Sequence, residues 1–305
     1  MTSEQTSPAD DAIVVTGANG FVGSFVCAAL VERGASVRAI VRRAGTAPQL
    51  PAVEEIVGDF HDPELAARVC TGARSVVNTV HPMQDDDGPQ ESAVRWAASL
   101  AETARRADVP LFVHVSTTSV YEREAATGDI DEGSPLVPDD ANEYAVTKRD
   151  TDLRLGEVDG ITRVLVRPTA ILGPGQSSVW NTLQPERIRA EVSARTDDPE
   201  RTFGWVHVED LADLIADIAT GRIAMTQDAD GGPMPGLATP VNAVAGNVPM
   251  REYVGRVCDA VGVRPVWQDL PAFRAELRAD RARSWGWSPR RTFEAAMSEL
   301  VEGLR

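Results

Sequence analysis

The stretch Val15-Thr16-Gly17-Ala18-Asn19-Gly20-Phe21-Val22-Gly23 decides the fold, because an apolar run, a glycine-rich turn and a helical pattern follow one another without a break. Ala12 to Thr16 reads as a buried strand. Phe21, Val22, Phe25, Val26, Ala29 and Leu30 recur at helical spacing until Arg33-Gly34 closes the element. Glycines at such a junction permit positive φ and close approach of a ligand, and the N–H groups of a helix start favour a phosphate. By itself the spacing fits both a tight turn that needs small residues and the seat of a pyrophosphate.

The surrounding pattern narrows the choice. Ser36 to Val41 reads as a second strand ending in Arg42-Arg43, and Val53 to Val57 as a third ending in Gly58-Asp59-Phe60 before a helix near Pro63. Ser75 to Val80 is a fourth, followed by His81-Pro82-Met83-Gln84 and an acidic loop, then by a helix from about Glu91 to Ala107 and a fifth strand from Leu111 to Val115. This alternation predicts an α/β protein of Rossmann type, a doubly wound parallel sheet with a smaller C-terminal substrate-binding subdomain. The expected organisation is a flexible N-terminus over 1–10, a dinucleotide-binding domain over 11–172 and a substrate-binding subdomain over 173–305. Segments 202–222 and 240–246 are expected to return to the first domain.

In open parallel sheets ligands gather outside the carboxyl ends of the strands. Gly17, Asn19, Gly20, Phe21, Val22 and Gly23 are therefore candidates for the cofactor pyrophosphate, Asp59 and Phe60 for the adenine, and Val80 for the next strand end. His81 and Met83 are candidate substrate contacts, although His81 also reads as a plain loop residue. An NAD-selective site places an acid at the end of the second strand, whereas arginine accommodates the extra phosphate of NADP. Arg42 and Arg43 fit the second pattern, or else form a solvated basic loop.

Composition bounds the function. The chain has 305 residues, 43% of them hydrophobic, enough for a large core. Its 30 Lys and Arg against 46 Asp and Glu give a net charge of −16, which argues against general binding to nucleic acid or anionic membranes. Cys27, Cys70 and Cys258 match no metal spacing and suit reduced thiols, and no metal-ligand cluster is apparent among the four histidines. A polar Met1–Asp10 and the lack of a long apolar segment point to a soluble, cytoplasmic protein with a frayed N-terminus.

The fifth strand ends in Ser116-Thr117-Thr118-Ser119-Val120-Tyr121, a row of hydroxyls that is either turn chemistry or a site. Asn142 to Lys148 then opens a helix that puts Tyr144 and Lys148 four residues apart on one face. A neighbouring ammonium favours the phenolate and brings the tyrosine nearer the working pH for proton transfer, but the same spacing also occurs as an ordinary surface pair.

In order, Thr16 to Gly23, Gly58-Asp59-Phe60, Ser116 to Tyr121, Tyr144 to Lys148, Val166-Arg167-Pro168-Thr169, Gly173-Pro174-Gly175 and Val206 to Ala212 resemble the extended short-chain dehydrogenase/reductases, the NAD-dependent epimerase/dehydratase family. The resemblance spans roughly residues 12–300. It implies that Tyr144 is the catalytic acid/base, that Lys148 binds the nicotinamide ribose and lowers the tyrosine pKa, and that Thr117 occupies the family's serine position. It also implies that Pro168 to Ile171 pass close to the nicotinamide; relatives often pair as homodimers through helices of the nucleotide domain, although the sequence itself does not show the oligomeric state.

Three positions depart from the family pattern. Ala93 stands where an asparagine is usual, Glu122 where a glycine often follows the Val-Tyr pair, and Phe203, with Arg201 only nearby, where an arginine commonly precedes the later strand. Beyond Gly175, Trp180 is a candidate substrate contact, and the charged segment Gln184 to Arg201 reads as a mobile or solvated cover. Trp205 and His207 read equally as substrate contacts and as packing residues, and Thr118 joins the candidate substrate contacts. The leading expectation is an NADPH-dependent ketoreductase acting on a small natural-product or sugar-derived ketone, an activity suited to natural product biosynthesis. The alternatives are a sugar-nucleotide epimerase or dehydratase, and a non-catalytic NADP-binding sensor.

Overall fold

In the computed structural model residues 11–80 and 89–304 are described, apart from the side chains of residues 89–93. The expected frayed N-terminus, His81, Met83 and the side chain at Ala93 therefore lie outside the described residues. Continuous apolar runs become strands buried on both faces, as a parallel sheet covered by helices requires. Strand β1 (Ile13–Thr16) leads into α1 (Phe21–Glu32), followed by β2 (Val37–Val41), β3 (Val53–Val57), α2 (Pro63–Cys70), β4 (Ser75–Asn78), α3 (Pro89–Arg106) and β5 (Leu111–Val115). Next come α4 (Glu143–Gly156), β6 (Thr162–Pro168), β7 (Ala170–Leu172), α5 (Gln184–Ala190), β8 (Thr196–Asp197), β9 (Thr202–His207) and α6 (Val208–Ala219). The chain closes with β10 (Ala238–Ala243), β11 (Gly246–Pro249), α7 (Met250–Val261), β12 (Val266–Trp267), α8 (Asp280–Ser284) and α9 (Phe293–Gly303).

Seven strands form a mostly parallel sheet in the order β3-β2-β1-β4-β5-β6-β10, the doubly wound arrangement expected from the sequence. The registers that matter for a ligand are Thr16 beside Ile40 and Thr16 beside Asn78, which put the ends of β1, β2 and β4 together. The chain divides into two compact units, one of residues 1–115, 150–165 and 215–239, the other of residues 116–149, 166–214 and 240–305. In the first unit Val14, Ile40, Leu65, Val76, Leu100, Phe112 and Leu165 build the core. In the second, Leu172, Ile188, Phe203, Trp205, Tyr253, Met297 and Leu300 do so.

Three local readings differ from the structure. Thr202–His207 does not pair in the seven-stranded sheet; as β9 it lies between β7 and β11 in a separate three-stranded sheet. Its antiparallel partner begins at Gly246-Asn247, which the turn-forming composition presents as a turn. The charged segment from Gln184 is folded rather than a loose cover. Helix α5 turns Pro185 and Ile188 inward, Ile188 at 0% exposure, and leaves Glu186, Arg187 and Arg189 outside.

Candidate functional site

Backbone sterics shape the turn in the first unit. Gly17 has φ +70°, and a Cβ there would stand 2.7 Å from Thr79 Oγ1 and 2.9 Å from a Val80 methyl. Gly23, buried in the first turn of α1, faces the Gly17 carbonyl so closely that a Cβ would lie 2.1 Å from its oxygen. The helix start is thereby pressed against the end of β1. Gly20 is the N-cap, no side chain caps the helix and its first turn carries no acid, so the positive end of α1 is left for a ligand. Phe21 and Val22, both half-buried, open that helix.

A buried network holds this turn. The Thr16 hydroxyl donates to Asn78 Oδ1 at 2.7 Å, and the Thr79 hydroxyl donates to the Thr16 carbonyl at 2.8 Å. The Val80 N–H also donates to Asn78 Oδ1, at 3.2 Å, while Asn78 Nδ2 meets His114 Nδ1 at 3.1 Å. Asn78 and Thr79 were not read from the sequence. A polar residue within an apolar strand was the available signal.

Asn19 Nδ2 donates to Thr46 Oγ1 at 3.3 Å, tying the glycine turn to the loop after β2. The Glu55 carboxylate clamps that loop by accepting the N–H groups of Gly45 at 2.8 Å and Ala47 at 2.9 Å, bonds that hold its pKa below the usual carboxylate value. Arg42 and Arg43 are both exposed, and neither guanidinium has an ion pair or hydrogen bond among the described residues. The contrast with Arg38, four residues earlier, is informative. It is 1% exposed within β2 and donates to the Val69 and Thr71 carbonyls at 2.6 and 2.8 Å, satisfying the end of α2. At the end of β3, Asp59 accepts the His61 N–H at 3.0 Å and lies 2.8 Å from His61 Nδ1. The Phe60 ring lies 4.1 Å from the His61 ring, which stacks on Trp96 at 3.8 Å.

In the second unit, Thr117 caps the 3-10 turn after β5 by accepting the Ser119 N–H at 3.1 Å, and it hydrogen-bonds Tyr144. Asn142 caps α4 by accepting the Ala145 N–H at 3.0 Å, which sets Tyr144 in the first turn and Lys148 one turn later. Tyr144 exposes 46% of its surface and Lys148 only 4%. The resemblance implies a lowered tyrosine pKa, yet burial of the hydroxyl raises it above the usual 10, with the Thr117 hydrogen bond opposing that rise. The difference has a physical cause: removing a phenolate from water outweighs one neutral hydroxyl donor.

Other candidates take packing or structural positions. The Thr118 hydroxyl, 1% exposed, donates to the Pro168 carbonyl at 3.2 Å. Trp205 is 4% exposed and packs on Phe293 at 5.4 Å in the second core. His207 accepts the Glu209 N–H at Nδ1, leaving Nε2–H to donate to Glu299 at 3.1 Å. Ile171 is half-buried in β7. Trp180 meets Phe203 and Tyr253 edge-on at 5.1 and 5.4 Å, while those two rings stack at 4.6 Å. Arg123 was missed: its Nε and Nη2, like Ser116 Oγ in the row of hydroxyls, are buried with no hydrogen-bond partner among the described residues. Among those residues no group of His, Cys, Asp or Glu is placed to hold a metal, and no helix is long and apolar enough to cross a membrane.

Comparison with known proteins is consistent across sequence and fold. The model of the NAD dependent epimerase/dehydratase family matches residues 13–224. A 3 beta-hydroxysteroid dehydrogenase/Delta 5-->4-isomerase of Mycobacterium tuberculosis is 27% identical over 295 residues, covering 90% of this chain and 75% of the relative. A 4-hydroxy-2-methyl-3-oxo-4-farnesyl-3,4-dihydroquinoline-1-oxide ketoreductase of Stigmatella aurantiaca is 29% identical over 277 residues, 88% of this chain and 79% of the relative. The crystal structure of the Bordetella bronchiseptica enzyme WbmH with NAD+ superposes at a TM-score of 0.76 and 19% identity, covering 97% of this chain and 99% of that one.

Proposed function

The chain belongs to the NAD dependent epimerase/dehydratase family, and from that premise we propose that it is an NADPH-dependent ketoreductase acting on a small natural-product or sugar-derived ketone. The observation that carries this reading is the hydrogen-bonded Thr117–Tyr144 pair on the helix that also holds buried Lys148. Two relatives whose names denote a dehydrogenase and a ketoreductase support the oxidoreductase class.

The residues of the first unit fit a dinucleotide. The close Gly17–Gly23 approach and the uncapped start of α1 leave room and N–H donors for a pyrophosphate. Arg42 and Arg43, exposed and without an ion pair among the described residues, would hold the additional phosphate of NADPH. When bound, the nicotinamide would supply the hydride. Tyr144 would donate its proton to the ketone oxygen, and its raised pKa keeps the phenol protonated at neutral pH. Thr117 would hydrogen-bond the same oxygen and stabilise the charge that develops there, and Lys148 would bind the cofactor ribose.

The nucleotide-sugar alternative has less support. The position where those relatives commonly carry an arginine is Phe203, 3% exposed and packed against Trp180 and Tyr253, and the nearby Arg201 is paired with Asp197. The test is Tyr144→Phe, assayed with NADPH across a panel of aliphatic and polycyclic ketones. Turnover is expected to fall by about 10³-fold, with NADPH affinity by fluorescence titration unchanged; turnover at the parent rate overturns the reading.

A further inference from the structure

Arg123 lies two residues beyond Tyr121, where the loop leaves the 3-10 turn after β5, and it belongs to the second unit. Its Nε and Nη2 are sealed from solvent and make no hydrogen bond among the described residues. Other buried arginines of the chain use their charge. Arg163 Nη1 donates to the Ile161 and Gly236 carbonyls at 2.7 and 3.0 Å, and Arg167 Nη1 donates to the Tyr121 hydroxyl at 2.7 Å. Arg201, whose charge reaches Arg123, is neutralised by Asp197, its Nε donating to Oδ1 at 2.7 Å. Among the described residues no carboxylate is one of the groups acting on Arg123.

Burial, helped by the like charge of Arg201 and opposed by Tyr121, pushes the Arg123 guanidinium down to about 10, still cationic at neutral pH. A guanidinium two of whose nitrogens are held out of water without a partner is destabilised by lost hydration. A ligand oxyanion removes that cost, and the planar fork of a guanidinium matches a carboxylate or phosphate in a bidentate pair. We infer that Arg123 binds an oxyanion, a carboxylate or a phosphate, carried by the ketone on which Thr117 and Tyr144 act. The cation comes from the loop after β5 and not from β9, where Phe203 stands. Arg123 lies six positions beyond Thr117, so their Cα atoms are at most about 22 Å apart, within the span of one extended small molecule.

The inference deepens the ketoreductase reading, and its test is a binding measurement so that the two fail separately. The full chain and its Arg123→Met and Tyr144→Phe variants are titrated calorimetrically with hexanoate, hexyl phosphate and methyl hexanoate, and melted without ligand. The parent and Tyr144→Phe are expected to bind one or both anions and to ignore the ester; the preferred anion identifies the source. Arg123→Met is expected to weaken anion binding by about tenfold or more while melting no lower than the parent, because an apolar isostere replaces an unpaired buried charge. Anion binding unchanged in Arg123→Met, ester bound as well as acid, or no anion bound by the parent each overturns the inference. A lower melting point of Arg123→Met also overturns it, since that reveals a structural partner. Loss of redox activity with anion binding intact would instead sink the ketoreductase reading alone.

Discussion

The turn after β1 and the loop after β5 both leave the carboxyl end of a parallel strand, yet they are built on opposite principles. The first is made of backbone: glycines allow the start of α1 to meet the Gly17 carbonyl, and the Thr16, Asn78 and Thr79 side chains serve only to hold that backbone. The second is made of side chains, with Thr117 and Tyr144 hydrogen-bonded and Arg123 Nε and Nη2, nearby in sequence, unpartnered among the described residues. A backbone site is intolerant of added volume, whereas a side-chain site tolerates isosteric replacement and loses only its chemistry.

Three measurements break or sharpen this contrast. The largest effect is expected from Gly23→Ala, whose Cβ would meet the Gly17 carbonyl oxygen. Stability should fall by about 1–3 kcal/mol and dinucleotide affinity by about 100-fold, read by denaturant unfolding and by fluorescence titration. Parent-like values for both would mean that the turn is not a backbone site. Arg42→Ala is expected to weaken NADPH by about tenfold while NADH affinity holds; equal losses for the two would show that the arginine does not read the phosphate.

The smallest effect concerns pH. Burial raises the Tyr144 pKa and the Thr117 hydrogen bond lowers it. The phenol form that donates the proton persists below this pKa, so ketone reduction should fall off only above pH 10. In Thr117→Val the lowering bond is lost, and the alkaline limb of the rate profile should move to still higher pH. A limb that stays in place or moves down would break the link between the two hydroxyls.

The first region was more legible than the second because its signals are local. Strand, glycine turn and helix occupy consecutive residues, and the apolar periods of β1 and α1 are read within a short window. Asn142 likewise marked the start of α4 through its own capping chemistry. Trp205 and Phe203 were harder to assign, since an aromatic residue on a strand looks the same whether it faces a ligand or a core. Only the packing of α7 and α9 against β9 decided that both are buried.

From the sequence alone came the alternating order of strands and helices, the glycine turn, the arginines at the end of β2 and the spacing of Tyr144 and Lys148, because each depends on neighbours a few residues apart. Tertiary structure alone decided that β9 leaves the main sheet, that Thr118 is bound to the Pro168 carbonyl, that burial raises the Tyr144 pKa, and that Arg123 Nε and Nη2 are buried without a hydrogen-bond partner among the described residues. Those properties depend on which distant segments exclude water from a group and which polar atoms they bring to it, information that no local spacing contains.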